Sequence, residues 1–312
     1  MRVVVQLHSR KNTFLLLLLF ALFCGCTSAK PYATLAEAGS TYAGAVASLA
    51  DKAGATRIEN SSYMLLQQRE GSLARHDRST QENILREALD RANSKDRAYL
   101  ELNQQSHDVA MHLQDYFKAL QALAASTAPS DIGTKTGTII TQLNQSIKSA
   151  GGALVLPASS GSKVVAPLMR HLTEAMLREE LTDRKSTITM ALVILNKLTS
   201  TIKSSIGVDV SQSRSLQYDL LTETPYTHSH SGGLNSISDR ERWIASRQKH
   251  LQVSSEDLAL NQLMDAAEKS NANFRKLFDR MTSDSREVVT VAELDSLSSD
   301  VNLLSGLLKS IK

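Results

Sequence analysis

The sequence predicts an all-α protein, an elongated bundle of about six to eight amphipathic helices, several of them long. Hydrophobic residues make up 42% of the 312 residues but aromatic residues only 4%, and many of the apolar positions are alanine. Glycine and proline are scarce, at 14 and 5 residues, so few turns are expected. Apolar residues recur every three or four positions through most of the chain, which is the period of one helix face.

Four Ser or Thr residues are followed three positions later by Glu, which is the spacing of an N-terminal capping box. In such a box each of the two side chains satisfies an amide that the first helical turn leaves unpaired. The predicted helix starts are therefore Thr34/Glu37, Ser79/Glu82, Ser238/Glu241 and Thr290/Glu293.

The longest apolar stripe starts at Ser79 and reaches Ala125. It predicts either one helix or two helices broken near Asn93-Ser94. An unbroken helix would be roughly 70 Å long at about 1.5 Å per residue, which favours an elongated bundle. The segment that contains Pro129 ends this stripe.

Further apolar stripes predict the remaining helices. The run at residues 188–195 is the most apolar, and it is too short to span a membrane, so it predicts a central, wholly buried helix. Its β-branched residues leave a strand as the alternative. The other predicted helices contain residues 139–147, 165–181, 240–251, 256–281 and 291–311.

Residues 222–236 contain Pro225, Gly232 and Gly233 and have no periodic pattern, which predicts the longest exposed loop of the chain. The loop divides the predicted body into a main helical bundle and a set of C-terminal helices that pack on it. The predicted organisation is a signal peptide (1–25), a lipidated N-terminus with a short linker (26–33), the main bundle (34–221), the loop (222–236) and the C-terminal helices (237–312).

The N-terminus has the layout of a secretory signal. The basic residues Arg2, Arg10 and Lys11 precede an apolar run at residues 14–23. This run is about ten residues long, whereas a helix needs roughly 20 residues to cross a bilayer. A cleaved segment is therefore predicted instead of a permanent membrane span.

The apolar run ends in Phe23-Cys24-Gly25-Cys26, which resembles the lipobox of bacterial lipoproteins, although a leucine-like residue is commonest at the position of Phe23. The resemblance covers the first 26 residues. It implies acylation of the Cys26 thiol, cleavage before Cys26 and a further acyl chain on the new amine. Because Thr27 and not aspartate follows, it also implies an outer-membrane location that faces the periplasm.

Such an anchor would be strong, because each buried methylene contributes about 0.8 kcal/mol and several chains act together. The alternative is an ordinary cleaved signal that happens to contain two cysteines. Cys24 and Cys26 are the only cysteines of the chain, and the predicted processing uses both. Packing, and not a disulfide, must therefore stabilise the body.

The charge balance argues against nucleic acid as a partner. The chain has 35 Lys and Arg against 32 Asp and Glu, but three of the basic residues belong to the predicted signal, which leaves 32 of each. A mature body without net positive charge lacks the electrostatic footprint of a nucleic-acid-binding protein.

The common catalytic and metal-binding spacings, such as Glu-x-x-His, His-Glu-x-x-His and Gly-x-Ser-x-Gly, are missing, so no catalytic residue, metal or cofactor is predicted. Two weaker groupings remain. His228 and His230 beside Tyr226 would be able to share a metal ion, and Asp108 stands one turn before His112, as in a general-base pair. An exposed polar loop and an ordinary helix-surface pair are the commoner explanations of these two patterns.

Trp243 is the only tryptophan, and arginines lie close to it in the sequence. Tryptophan and arginine are among the residue types that dominate protein interfaces. Trp243 is the one candidate for contact with a partner. A structural anchor for the start of its own helix is the alternative.

These observations favour a non-catalytic binding or scaffold lipoprotein of the bacterial envelope, anchored by acylated Cys26, with a protein partner of unknown identity. One alternative is an envelope hydrolase, which would collect Asp108, His112 or His228 near a nucleophile. Another is a carrier of an apolar ligand, which would have a continuous cavity around Leu192.

Overall fold

The computed structural model describes residues 29–73, 78–125, 130–151, 172–227, 234–251, 254–283 and 289–310. Within these ranges every regular element is a helix, which confirms the predicted all-α class and excludes the strand considered for residues 188–195. The predicted signal peptide, Cys26, His228 and His230 lie outside the described residues, as does the first part of the helix predicted at 165–181.

The bundle consists of eight helices within the described ranges, if two short turns that continue the fifth are counted with it. They are α1 (Lys30–Leu73), α2 (Arg78–Ala125), α3 (Ser130–Gly151), α4 (Leu172–Asp183), α5 (Lys185–Tyr218), α6 (Ile237–Leu251), α7 (Ser254–Met281) and α8 (Val291–Ser310).

Helices α1 and α2 form a long antiparallel hairpin. They contain 44 and 48 residues, which corresponds to roughly 66 and 72 Å. Gly39 lies beside Phe117, and at the other end the Gln81 side-chain amide donates to the Ser72 carbonyl at 3.2 Å. Helix α2 is continuous through residues 93–94, so the stripe from Ser79 to Ala125 forms one unbroken helix.

The two helices approach closely where α1 carries glycine. A Cβ atom added at Gly39 would lie 2.6 Å from a ring carbon of Phe117, and one added at Gly44 would overlap the amide of Gln114. Glycine in a helix interior is less favourable than alanine by about 0.5–1 kcal/mol. The close contact with Phe117 explains why α1 tolerates glycine at this position.

An aromatic cluster joins α1, α2 and α7 around this contact. The rings of Phe117 and Phe274 meet edge to face with their centroids 5.2 Å apart, and Tyr42 stacks on Phe274 at 6.2 Å. Tyr116 and Phe278 extend the cluster on either side, and all five rings are buried. Such pairs contribute about 0.5–1.5 kcal/mol each beyond the area they bury.

A buried amide links α7 to both α1 and α5. The Asn271 side chain donates to the Tyr42 hydroxyl at 2.6 Å and to the Leu192 carbonyl at 3.2 Å. Burial raises the pKa of Tyr42, so its phenol remains neutral over the physiological range. Leaving one of these groups unsatisfied would cost about 1–3 kcal/mol, so the bridge helps to select one packing of the three helices.

Helix α5 packs most of the run at residues 188–195 into the core. Ile188, Leu192 and Leu195 are completely buried, but Val193 is 41% exposed. The prediction of a wholly buried helix is therefore wrong on one face, because the side of α5 that carries Val193 meets solvent.

The predicted start of the last helix is confirmed. The Thr290 amide donates to the Glu293 carboxylate at 2.9 Å, and the Glu293 amide donates back to the Thr290 hydroxyl at 3.3 Å. The Thr290 amide and the guanidinium of Arg280, which pairs with Glu293, lower the pKa of this carboxyl to about 2. Helix α8 then packs antiparallel to α7, where Lys269 bonds to Asp300 at 2.7 Å.

Two other predicted starts are wrong. Thr34 lies inside α1, which begins at Lys30. Helix α6 begins at Ile237, where Ser236 and Asp239 exchange the capping hydrogen bonds: the Asp239 amide donates to the Ser236 hydroxyl at 3.0 Å. An aspartate thus performs the role that the sequence pattern assigned to Glu241.

We expect Gly39→Ala to lower the free energy of unfolding by about 1–3 kcal/mol, because the enclosed Phe117 ring has no room to yield to a new methyl group. Gly71→Ala is the matched control in the same helix, since nothing lies within 4 Å of its added Cβ. It should raise stability by about 0.5–1 kcal/mol. Urea denaturation followed by circular dichroism measures both, and equal stability of the two variants would contradict the close contact.

Candidate functional site

The bundle has one end that differs from the rest in where its apolar side chains lie. This distal arm comprises residues 54–73 of α1, 78–102 of α2, 207–227 at the end of α5, and 237–251, which form α6. Of the 15 exposed large hydrophobic side chains among the described residues, 12 belong to the arm. They are Ile58, Met64, Leu66, Leu89, Leu100, Leu102, Val208, Leu221, Tyr226, Ile237, Ile244 and Leu251.

The interior of the arm is mostly polar. Among its described residues the buried apolar side chains are Ala88 and Leu216, whereas the buried polar ones are Asn60, Ser61, Ser72, Asp209, Ser213 and Thr222. This distribution is the reverse of that in the rest of the bundle. Apolar surface gathered in one region of a polar exterior is typical of an interaction surface.

A hydrogen-bonded network around Asp209 holds the arm together. Asp209 is buried and accepts at 2.9 Å both from the Arg57 guanidinium and from the Asn60 amide. The Asn60 amide also donates to Gln212 at 3.1 Å. These contacts join α1 to α5 where the interior offers few apolar contacts.

The network continues to α2 through a second carboxylate. Asp96 accepts from the Ser61 hydroxyl and forms an ion pair with Arg57 at 3.7 Å. Arg57 also lies 5.9 Å from the centre of the Tyr99 ring, within the range of a cation–π contact. Arg57 therefore links three helices by itself.

A cavity of about 460 Å³ opens beside this network, between α1, α2 and α5. Arg57, Arg91 and Lys95 line it together with one carboxylate, Asp96. Arg57 already compensates Asp96, and no group of three His, Cys, Asp or Glu side chains able to hold a metal ion occurs in the described parts of the chain. Of these charged groups Arg57 and Asp96 connect helices, whereas Arg91 pairs with Glu87 of its own helix at 3.3 Å. A second cavity, of about 500 Å³, is an open groove of mainly small side chains beside α8.

The end of α5 continues into the region predicted as a loop. Residues Asp219–Glu223 form a π-helical turn, in which the Thr224 amide donates to the Asp219 carbonyl, and Thr224–Thr227 add a last α-turn. Pro225 explains the π turn, because it has no N–H for the carbonyl of Leu221 four residues earlier. The expected loop start at residue 222 is therefore wrong, since one proline widens a helix without ending it.

Trp243 attaches α6 to this turn. Its indole N–H donates to the Thr222 carbonyl at 2.8 Å, and its ring stacks on Tyr226 with centroids 5.6 Å apart. One helical turn on, the Ser246 and Thr222 hydroxyls lie 3.2 Å apart, and His250 packs on Tyr218 at 4.3 Å. Trp243 is half-buried against its own chain, which matches the structural alternative considered for it.

Helix α6 buries none of its 15 residues. Three apolar side chains at seven-residue intervals lie exposed on one side of it: Ile237 at 76%, Ile244 at 49% and Leu251 at 64%. The sequence analysis did not identify this α6 stripe, although the seven-residue spacing of its three apolar residues is visible in the sequence. The apolar residues were expected to face the bundle, as they do in most surface helices.

The structure does not bring Asp108 and His112 together as a general-base pair. Asp108 accepts from the Gln104 amide at 2.8 Å, whereas a ring nitrogen of His112 lies 2.9 Å from the Ser146 hydroxyl on α3. Neither His112 nor Ser146 lines either of the two cavities described above. The contact joins α2 to α3.

None of the helices within the described residues is both long and apolar enough to cross a bilayer. Comparison with protein-family models, with curated proteins and with solved structures gives no match to this chain.

We expect Trp243→Phe to loosen α6 without affecting the rest of the bundle. The variant keeps a ring but loses the hydrogen bond to Thr222, which is worth about 0.5–1.5 kcal/mol. Amide hydrogen exchange within 237–251 should accelerate about two- to tenfold, while the urea midpoint of the bundle stays unchanged because α6 buries no residue. The exposed Lys249→Ala is the control, and equal exchange in the two variants would contradict an anchoring role for Trp243.

Proposed function

We propose that this chain is a membrane-anchored helical lipoprotein of the bacterial envelope, which acts as a non-catalytic binding or scaffold protein and docks a protein partner on its distal arm. The observation that carries the proposal is the concentration of exposed apolar side chains on the arm, 12 of the 15 among the described residues. Exposed apolar area costs solubility, so its accumulation in one region is best explained by a partner that covers it.

The position of Cys26 relative to the arm supports this division of roles. Cys26 precedes the first residue of α1, Lys30, by four residues, which span at most about 14 Å. The arm takes up the other end of α1, residues 54–73, where Gln67 donates to Asp219 at 3.2 Å. From Lys30 to Gln67 the helix rises roughly 55 Å. An acylated Cys26 would therefore tether one end of the bundle and leave the arm far from the lipid.

The location rests on the resemblance of residues 23–26 to a lipobox. Thr27 in place of aspartate favours the outer membrane, with the bundle in the periplasm. In that setting the polar network of Arg57, Asp96 and Asp209 supplies the cohesion that a disulfide would otherwise provide.

The two alternatives gain less support from the side chains. A hydrolase would need His112 oriented by an acid, but Asp108 bonds to Gln104. A carrier would need an apolar cavity around Leu192, but this side chain is completely buried and its carbonyl is bonded to Asn271. Both arrangements favour a binding protein.

The anchor is tested by intact-mass spectrometry of the chain extracted from membranes. We expect a mature polypeptide that begins at Cys26 and carries acyl chains, and a Cys26→Ser variant that is soluble or uncleaved. An unacylated mature chain with a different first residue would overturn the lipoprotein assignment.

Docking on the arm is tested by photo-crosslinking in intact cells. A photoreactive residue in place of Leu66, which is 46% exposed on the arm, should form a discrete protein adduct. The same residue in place of Leu303, which is 57% exposed on α8, is the matched control and should form none. Equal labelling at the two positions would remove the arm as the docking surface.

A further inference from the structure

We infer that the α6 stripe of Ile237, Ile244 and Leu251 is a pairing surface for a second copy of this chain, with the two α6 helices parallel. The inference deepens the proposed function, because it names one partner of the distal arm. Its starting point is that this apolar stripe is exposed, although α6 already packs on α5 through another face.

The two faces of α6 are distinct. Trp243, Ser246 and His250 contact the end of α5. At about 100° per residue the α6 stripe lies more than a quarter turn away from them. Residues seven apart drift by only about 20° on a straight helix. The three side chains thus form one narrow ridge, roughly 21 Å long, that a second helix can follow.

The residues beside the ridge distinguish the possible occupants. Arg240 and Arg247 flank it on one side, and Glu241 and Gln248 flank it on the other. If two copies pair antiparallel about a twofold axis, each flank of α6 lies against the same flank of the other copy, so arginine faces arginine. If they pair parallel, Arg240 faces Glu241 of the other copy, and Arg247 faces Gln248. Facing residues of this kind set orientation in paired helices.

The orientation of α6 in the bundle fits the parallel arrangement. Trp243 contacts Thr222 and His250 contacts Tyr218, so α6 runs antiparallel to α5. Helix α5 in turn runs parallel to α1, since Arg57 bonds to Asp209 and Gln67 to Asp219. A parallel pair of α6 helices therefore places the N-termini of both copies of α1 on the same side, as two chains anchored in one membrane require.

The size of the ridge predicts a weak contact. Three apolar side chains and their flanks bury much less than the about 800 Å² per partner of a standard stable interface. Confinement of both chains to one membrane raises their effective concentration without any new contact. Pairing should therefore be prominent in the membrane and weak in dilute solution.

Single-cysteine crosslinking of the full chain in membranes tests the inference. In parallel pairing residue 237 lies opposite residue 237 of the other copy, within reach of a disulfide. Ile237→Cys alone should then give a covalent dimer on mild oxidation. Ser238→Cys, one residue along and pointing away from the ridge, is the matched control and should stay monomeric. An antiparallel pair would crosslink only when Ile237→Cys and Leu251→Cys chains are mixed, which would overturn the parallel arrangement.

Exchanging the charges of Arg240 and Glu241 tests whether the α6 stripe binds a second copy of this chain or another protein. Glu241→Arg should abolish most of the Ile237→Cys dimer, because arginine would face Arg240 of the other copy. Adding Arg240→Glu to the same chain exchanges both charges and should restore the dimer. Failure of this restoration, or absence of a dimer altogether, overturns self-pairing and leaves the stripe to a different partner.

Crosslinking of the wild-type chain and of variants that carry Cys26→Ser distinguishes failure of this inference from failure of the proposed anchor. A disulfide-linked dimer of the wild-type chain would need a free thiol at Cys24 or Cys26, and would count against cleavage and acylation without bearing on α6. The purified Cys26→Ser, Ile237→Cys chain should crosslink at high concentration and less at low concentration. Equal crosslinking of this chain and of its Ser238→Cys counterpart would overturn the α6 contact, whatever the state of Cys26.

Discussion

The close approach of α1 and α2 is the constraint on which the rest of the bundle depends. Because Gly39 has no side chain, the Phe117 ring lies directly on the α1 backbone, and Phe274 and Tyr42 then pack around that ring. This brings α7 near enough for Asn271 to reach both Tyr42 and the Leu192 carbonyl. A larger residue at position 39 would move α2 outward and disturb each of these contacts.

The distal arm is stabilised by different means, and this difference connects the structure with the proposed function. Where the core relies on buried rings, the arm relies on Arg57, Asp96 and Asp209. A polar network of this kind is directional and less dependent on apolar area, so apolar side chains in the arm are free to face outward. Helices α1, α2 and α5 thus stay connected in the distal arm while apolar side chains on them are exposed to solvent.

The candidate site was only partly predictable from the sequence. Trp243 stood out by its rarity, but its indole N–H donates to Thr222, which lies 21 residues earlier in the chain. Asp108 and His112 had the spacing of a helical pair, yet Gln104 and Ser146 lie nearer to them. Spacing identifies residues on one face of a helix. It does not report which residue of another helix lies opposite.

The sequence by itself determined the helical class and the Thr290/Glu293 start of α8, because helix period and capping depend on residues within one or two turns. Only the tertiary structure decided that Val193 meets solvent, that α5 continues beyond residue 222, and that the apolar residues of α6 face outward. An amphipathic pattern fixes which side chains share a face. Which faces find a partner within the same chain depends on contacts between residues as distant as Tyr42 and Asn271.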